Sequence, residues 1–124
     1  MHKITAALLL AALGLAAQAQ GLKDRTPITV TVTGGQIDSP DEARTTADEG
    51  ALVWVMGSKG FRFADSKGID VKSGGQHACR TLMDGQRVRC AKSVHRRGDR
   101  FKYAINVVGS DGKALNLDPF ILND

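Results

Sequence analysis

The sequence predicts an all-β fold, a small antiparallel two-sheet sandwich of about seven or eight strands with one disulfide-linked hairpin. Three observations carry that expectation. Thr26 to Thr33 alternates apolar and polar side chains without error, turn-forming residues recur at short intervals, and no segment after residue 20 shows a convincing helical period. At 124 residues, with 42% apolar and 24% charged side chains, the chain suits one globular domain and neither a disordered nor a collagen-like one.

The first segment reads as an address. Met1-His2-Lys3 is a positive start, Ile4 to Ala17 is apolar except for Thr5 and Gly14, and Ala17-Gln18-Ala19 has the small-x-small pattern that signal peptidase accepts. Residues 1–19 are therefore expected to be a removed signal peptide and residues 20–124 the single β-sandwich domain, periplasmic or secreted. The apolar run is shorter than the roughly 20 residues needed to cross a bilayer, and no cysteine follows it to accept a lipid. No later segment is long and apolar enough to span a membrane.

In Thr26 to Thr33, Ile28, Val30 and Val32 face one way and the threonines the other, with Pro27 at the start, where a missing N–H is tolerated. Gly34 to Gly50 has no clear period. Ser39-Pro40-Asp41-Glu42 has a capping-box spacing that predicts one short helical turn. Asp38, Asp41, Glu42, Asp48 and Glu49 make this the acidic part of the chain, and they lack the order of a calcium loop, so a solvated loop is expected. Leu52 to Met56 is apolar on both faces around Trp54, as a central strand requires. Phe61 and Phe63 flank Arg62, and Asp65-Ser66-Lys67-Gly68 turns the chain into Ile69-Asp70-Val71. Further strands are expected at 78–83, 87–91, 100–108 and 114–121.

Two hairpins have a derivable register. Asp84-Gly85 favours a two-residue type I′ turn, under which opposed residues have numbers adding to 169. Cys79 and Cys90 meet that condition, so a disulfide is expected, with Cα atoms about 5.5 Å apart if the pair is hydrogen-bonded. Cys79, Thr81, Met83, Val88 and Cys90 then share the inner face, and Arg80, Leu82, Arg87 and Arg89 the outer. Arg80 and Arg89 oppose each other, two like charges across a ladder, an arrangement that invites an anion between them. Around Ser110-Asp111-Gly112 a three-residue loop pairs Val107 with Leu115 and Ile105 with Leu117, with Gly112 in the left-handed position. Phe101, Tyr103, Ile105 and Val107 form one apolar face, with Arg100, Lys102 and Asn106 opposite. Asp118-Pro119 bends or ends the last strand.

The ending Phe101-Lys102-Tyr103-Ala104-Ile105-Asn106-Val107, Asp111-Gly112-Lys113 and Leu117-Asp118-Pro119-Phe120-Ile121-Leu122-Asn123 resembles that of short exported bacterial β-sandwich proteins of undescribed activity. The Trp54 strand followed by Gly60-Phe61-Arg62-Phe63 and Gly68-Ile69 resembles them too. The resemblance implies a cupredoxin-like or immunoglobulin-like shape and brings no catalytic residue.

No catalytic residue, metal site or cofactor is expected. Blue copper needs two His, a thiolate and usually a Met near the chain end, and no Met follows His95. A zinc set of His77, Cys79, Cys90 and His95 competes with oxidation of its thiols. There is no Gly-x-Ser-x-Gly elbow, and Arg97-Gly98-Asp99 reads as a polar turn. What remains is charge: residues 72–102 hold nine Lys+Arg against two Asp, a local +7 within a chain of net +4. Arginine's planar fork suits phosphate and carboxylate groups, so Arg80, Arg87, Arg89, Arg96 and Arg97 are the candidate anion-binding residues. The partner expected is an anionic envelope component or another protein. Nucleic acid is not expected, because aromatics are 5% of the chain and the leader removes it from the cytoplasm. The leading expectation is a non-enzymatic exported binding module. The alternatives are a metal-binding or copper-handling module using His77, His95 and Met56 or Met83, and a small inhibitor or immunity-type protein acting through the His95–Asp99 loop.

Overall fold

The computed structural model describes residues 22–72, 77–92 and 94–124, and of His77 its strand placement alone. The expected leader and its cleavage point lie outside the described residues. Among the described residues eleven strands follow one another without a helix: β1 (Ile28–Thr33), β2 (Gln36–Asp38), β3 (Glu42–Thr45), β4 (Leu52–Met56), β5 (Phe61–Phe63), β6 (Ile69–Val71), β7 (His77–Leu82), β8 (Arg87–Lys92), β9 (Arg100–Gly109), β10 (Ala114–Leu117) and β11 (Phe120–Asn123). No helix among the described residues is long and apolar enough to cross a membrane.

The strands form a sandwich. One sheet has the order β2-β1-β4-β8-β7, and the other is built on β9, with β10 and β11 along one side, β5 and β6 along the other, and β3 beyond β11. The expected antiparallel sheets are in fact mixed. After β2 the chain crosses to the second sheet as β3 and returns as β4, and such a return lays β4 parallel to β1 and β3 parallel to β11.

The strand count exceeds expectation for local reasons. Gly34 and Gly35, at φ +60 and +77, make a tight hairpin turn that pairs Thr33 with Gln36 and creates β2. The helical turn expected from Ser39 to Glu42 does not form. Ala43 and Thr45 are buried alternately along β3 instead, and the Glu42 carboxylate faces Arg44 and Arg100 rather than capping a helix. The single strand expected over 114–121 is two. Both halves keep one register against β9, Leu117 opposite Ile105 and Phe120 opposite Lys102, so the interruption is local to Asp118-Pro119. Pro119 has no N–H to give, yet its carbonyl still accepts from Tyr103 N–H at 3.0 Å. β5 and β6 likewise share one side of β9 around a bulged loop, where Asn106 N–H donates to Gly68 O and Asn106 O accepts from Ala64 N–H.

The core lies between the sheets. Ile28, Val30, Leu52, Trp54, Val88 and Cys90 from one sheet meet Ala43, Phe63, Ile69, Tyr103, Ile105, Val107 and Ile121 from the other. Trp54 and Tyr103, both fully buried, join the layers: their rings are 5.3 Å apart, and Trp54 Nε1–H donates to the Tyr103 hydroxyl at 3.3 Å. Burial pushes the Tyr103 hydroxyl above its ordinary pKa, and the Trp54 donor partly offsets that.

Both hairpin registers agree with expectation. Leu115 opposes Val107 and Leu117 opposes Ile105, with Gly112 at φ +85. Cys79 opposes Cys90 and Arg80 opposes Arg89, and the two sulfurs are bonded. One detail differs. Asp84 and Gly85 take positive φ as the turn requires, but Met83 does so too, so the ladder closes at Leu82 and Arg87 and the loop holds four residues. That shift moves the Cys pair to a close position of the ladder that is not hydrogen-bonded, with Cα atoms 3.9 Å apart rather than about 5.5 Å. It also turns Met83 out of the inner row, leaving it 70% exposed.

The loop is seated on the second sheet: Phe63 N–H donates to Gly85 O at 2.8 Å, and the Gln86 side chain donates to Phe61 O at 3.2 Å. A Cβ at Gly85 would stand 2.7 Å from Arg62 Cβ and 3.1 Å from Phe63 O, at a φ of +84. Gly85→Ala should therefore cost about 1–3 kcal/mol, read as a lower urea midpoint at unchanged slope, and an unchanged midpoint would contradict this seating.

Candidate anion-binding face

Side chains on a strand alternate in direction, so the inward Val88 and Cys90 force Arg87 and Arg89 outward, and the opposed β7 residues Arg80 and Leu82 follow. Arg80, Arg87 and Arg89 therefore stand on one face of the stapled hairpin. The outer sheet position next to Arg89 belongs to Val53 of β4, and the one next to Arg87 to Val55.

Among the described residues one carboxylate pairs with an arginine of this face, and it comes from the segment that precedes β1. Arg89 Nε–H donates to Asp24 Oδ2 at 3.0 Å and its Nη2 to Asp24 Oδ1 at 3.2 Å, a two-point fork. Ala51 N–H donates to the same Oδ1 at 3.2 Å, while Arg25 N–H donates to Ala51 O and Gly50 N–H to Lys23 O. The Arg89 fork, aided by the Ala51 N–H and the charge of Arg87, holds the Asp24 carboxyl below its ordinary range and raises the guanidinium of Arg89. What this pairing adds to stability is fully present above the ordinary carboxylate range and is lost as pH falls through the lowered value. Both groups are part-exposed, so it amounts to no more than about 1 kcal/mol.

The basic stretch of the sequence divides in space. Lys72 pairs with Asp70, Arg89 with Asp24, and Arg100 with Glu42 while lying 3.6 Å over the Phe120 ring. Lys92 turns toward the end of β3, where its ammonium donates to Thr45 Oγ1 at 3.1 Å and Thr46 O at 2.7 Å. Burial lowers its pKa, against the pull of Glu49 and Asp48. Arg96 and Arg97 are not on the β7–β8 face. They belong to the turn before β9, which is tied to the end of β11 by Gly98 N–H donating to Asn123 O at 2.7 Å and Asn123 N–H donating to Asp99 O at 2.9 Å. Among the described residues, Arg80, Arg87, Arg96, Arg97 and Lys102 have no carboxylate partner.

The zinc set loses its two thiolates to the disulfide, and of the residues in the metal-handling alternative Met56 packs against the core. His95 is engaged at both ring nitrogens, Nε2 with Asp124 O at 2.9 Å and Nδ1 with Lys92 Nζ at 3.5 Å. His77's side chain lies outside the described residues. Among those described, no group of three or more His, Cys, Asp or Glu side chains is placed to hold a metal.

Asp24 is the site residue that sequence reasoning missed. It lies 65 positions from Arg89 in an unpatterned segment, and no local signal ties the two. No protein-family model matches the chain, and no curated protein matches it.

Proposed function

We propose that this protein is a non-enzymatic exported binding module whose arginine face on β7 and β8 engages an anionic partner in the cell envelope. One observation carries the reading. Arg80 and Arg89 oppose each other across the ladder with Arg87 beside them, and among the described residues the one carboxylate paired with any of the three is Asp24, on Arg89. Opposed like charges are unfavourable in the free protein, and an anion relieves them. The leader-like first 19 residues and the closed disulfide support an oxidising, exported location.

Retention of the disulfide-closed protein on vesicles rich in anionic lipid should fall steeply with salt. Replacing Arg80, Arg87 and Arg89 together by Ser should abolish it, with a loss of about tenfold or more at low ionic strength. Lys59, Lys67 and Lys113, taken to Ser together, remove the same charge from elsewhere on the surface and should leave most of the retention intact. Equal losses in the two triple variants would show that net charge alone, and not this face, holds the protein.

A further inference from the structure

Within this face the charges do not balance, and the imbalance has a definite size. Three guanidinium groups and one carboxylate leave a net +2 at the corner where the N-terminal segment meets β8. Adjacent strands are about 4.8 Å apart and alternate residues on one strand about 6.8 Å apart, so Arg80, Arg87 and Arg89 stand at three corners within reach of one small group. Asp24 takes two of the donors of Arg89, while Arg80 and Arg87 keep all of theirs free of carboxylate. A second carboxylate brings one charge and two oxygens, which leaves a guanidinium unanswered. A phosphate monoester brings close to two charges above its second pKa of about 6, and three acceptor oxygens. Beside Arg89 and Asp24 lies a depression of about 260 Å³, lined also by Leu22, Gly50, Ala51, Ala91 and Lys92, with room for whatever the phosphate is joined to.

We infer that Arg80, Arg87 and Arg89, with Asp24 held on Arg89, form a seat for a dianionic phosphate monoester, on a lipid headgroup or a free phosphorylated molecule. This rests on the anionic-partner reading and narrows it to one ligand chemistry. It implies a preference over phosphodiesters, which carry one charge, and a pH dependence set by the ligand. Among the described residues, the charged groups at the seat are the three arginines and Asp24, Lys92 also lines the depression, and Asp24 stays ionised because its pKa is lowered.

The test titrates the disulfide-closed protein with glycerol 3-phosphate at low salt, following amide and guanidinium NMR signals. Saturable shifts centred on residues 24, 80, 87 and 89 are expected, weakened about tenfold by Arg80→Gln and about tenfold between pH 7.5 and pH 5 as the dianion takes up a proton. Asp24→Asn removes the competing charge and should tighten binding severalfold. Vesicles of phosphatidic acid against vesicles of phosphatidylglycerol separate the sources. Tighter binding to the former than to glycerol 3-phosphate assigns a lipid headgroup, and binding of the soluble ester alone assigns a free phosphorylated molecule. Dimethyl phosphate binding as well as glycerol 3-phosphate, or an unchanged Arg80→Gln, overturns the seat. So does absence of saturable binding while retention on anionic vesicles persists, a result that leaves the broader reading standing. Loss of that retention in the parent protein removes both.

Discussion

Trp54→Ala should leave the protein largely unfolded near 37 °C. Trp54 is fully buried at the centre of β4, with β1 on one side and β8 on the other, and it is the largest side chain in the core. Truncating a buried tryptophan removes transfer free energy and opens a cavity, together about 3–5 kcal/mol. The change also strips the Tyr103 hydroxyl of its Trp54 donor inside the sandwich, a further cost of about 1–3 kcal/mol. A domain of this size has about 5–15 kcal/mol in total, so the variant sits at the edge of folding. Circular dichroism during urea and thermal unfolding is the measurement, because the substitution removes the chain's single tryptophan fluorophore. Trp54→Phe keeps most of the volume and loses the N–H, and should fall between parent and Trp54→Ala. If Trp54→Ala unfolds with the parent's midpoint, Trp54 does not join the two sheets.

Much of the fold was readable from the sequence because its signals are local. The alternation in Thr26 to Thr33, the apolar block around Trp54 and the turn residues at 84–85 and 110–112 each act within a few residues, and the structure keeps their faces and registers. Failures came where a local signal met a longer-range demand. Ser39-Pro40-Asp41-Glu42 has the spacing of a helix start, but Ala43 and Thr45 have to face the core from β3, and burial outweighs a cap worth about 1 kcal/mol. The parallel pairings of β1 with β4 and of β3 with β11 depend on the chain crossing between layers, which alternation does not encode. At the candidate site, the opposed arginines followed from simple counting along the hairpin. Asp24 did not, because an ion pair across 65 positions leaves no pattern in either segment. The grouping of Arg96 and Arg97 with the hairpin arginines was a property of the sequence. In space, the turn before β9 carries them to the end of β11.

Removing the disulfide should cost both stability and binding while changing no charge. β7 is an edge strand, held by its ladder to β8, by the Cys79–Cys90 bond and by the Thr81 hydroxyl donating to Ala64 O. Closing a loop of this length restricts the unfolded chain by about 3 kcal/mol in the entropy model. For a domain of about 100 residues that corresponds to a fall in Tm of roughly 10–20 °C. In the folded state the same bond holds Arg80 opposite Arg89 against their mutual repulsion. Without it, the edge strand is free to fray and the two guanidiniums to part, so the face loses the arrangement that concentrates its charge. The Cys79→Ala, Cys90→Ala double variant has the parent's net charge and should show lower Tm together with weaker retention on anionic vesicles at a temperature where it is still folded. A lower Tm with undiminished retention would mean that the arginines bind as a diffuse cloud of charge, and that the hairpin serves stability alone.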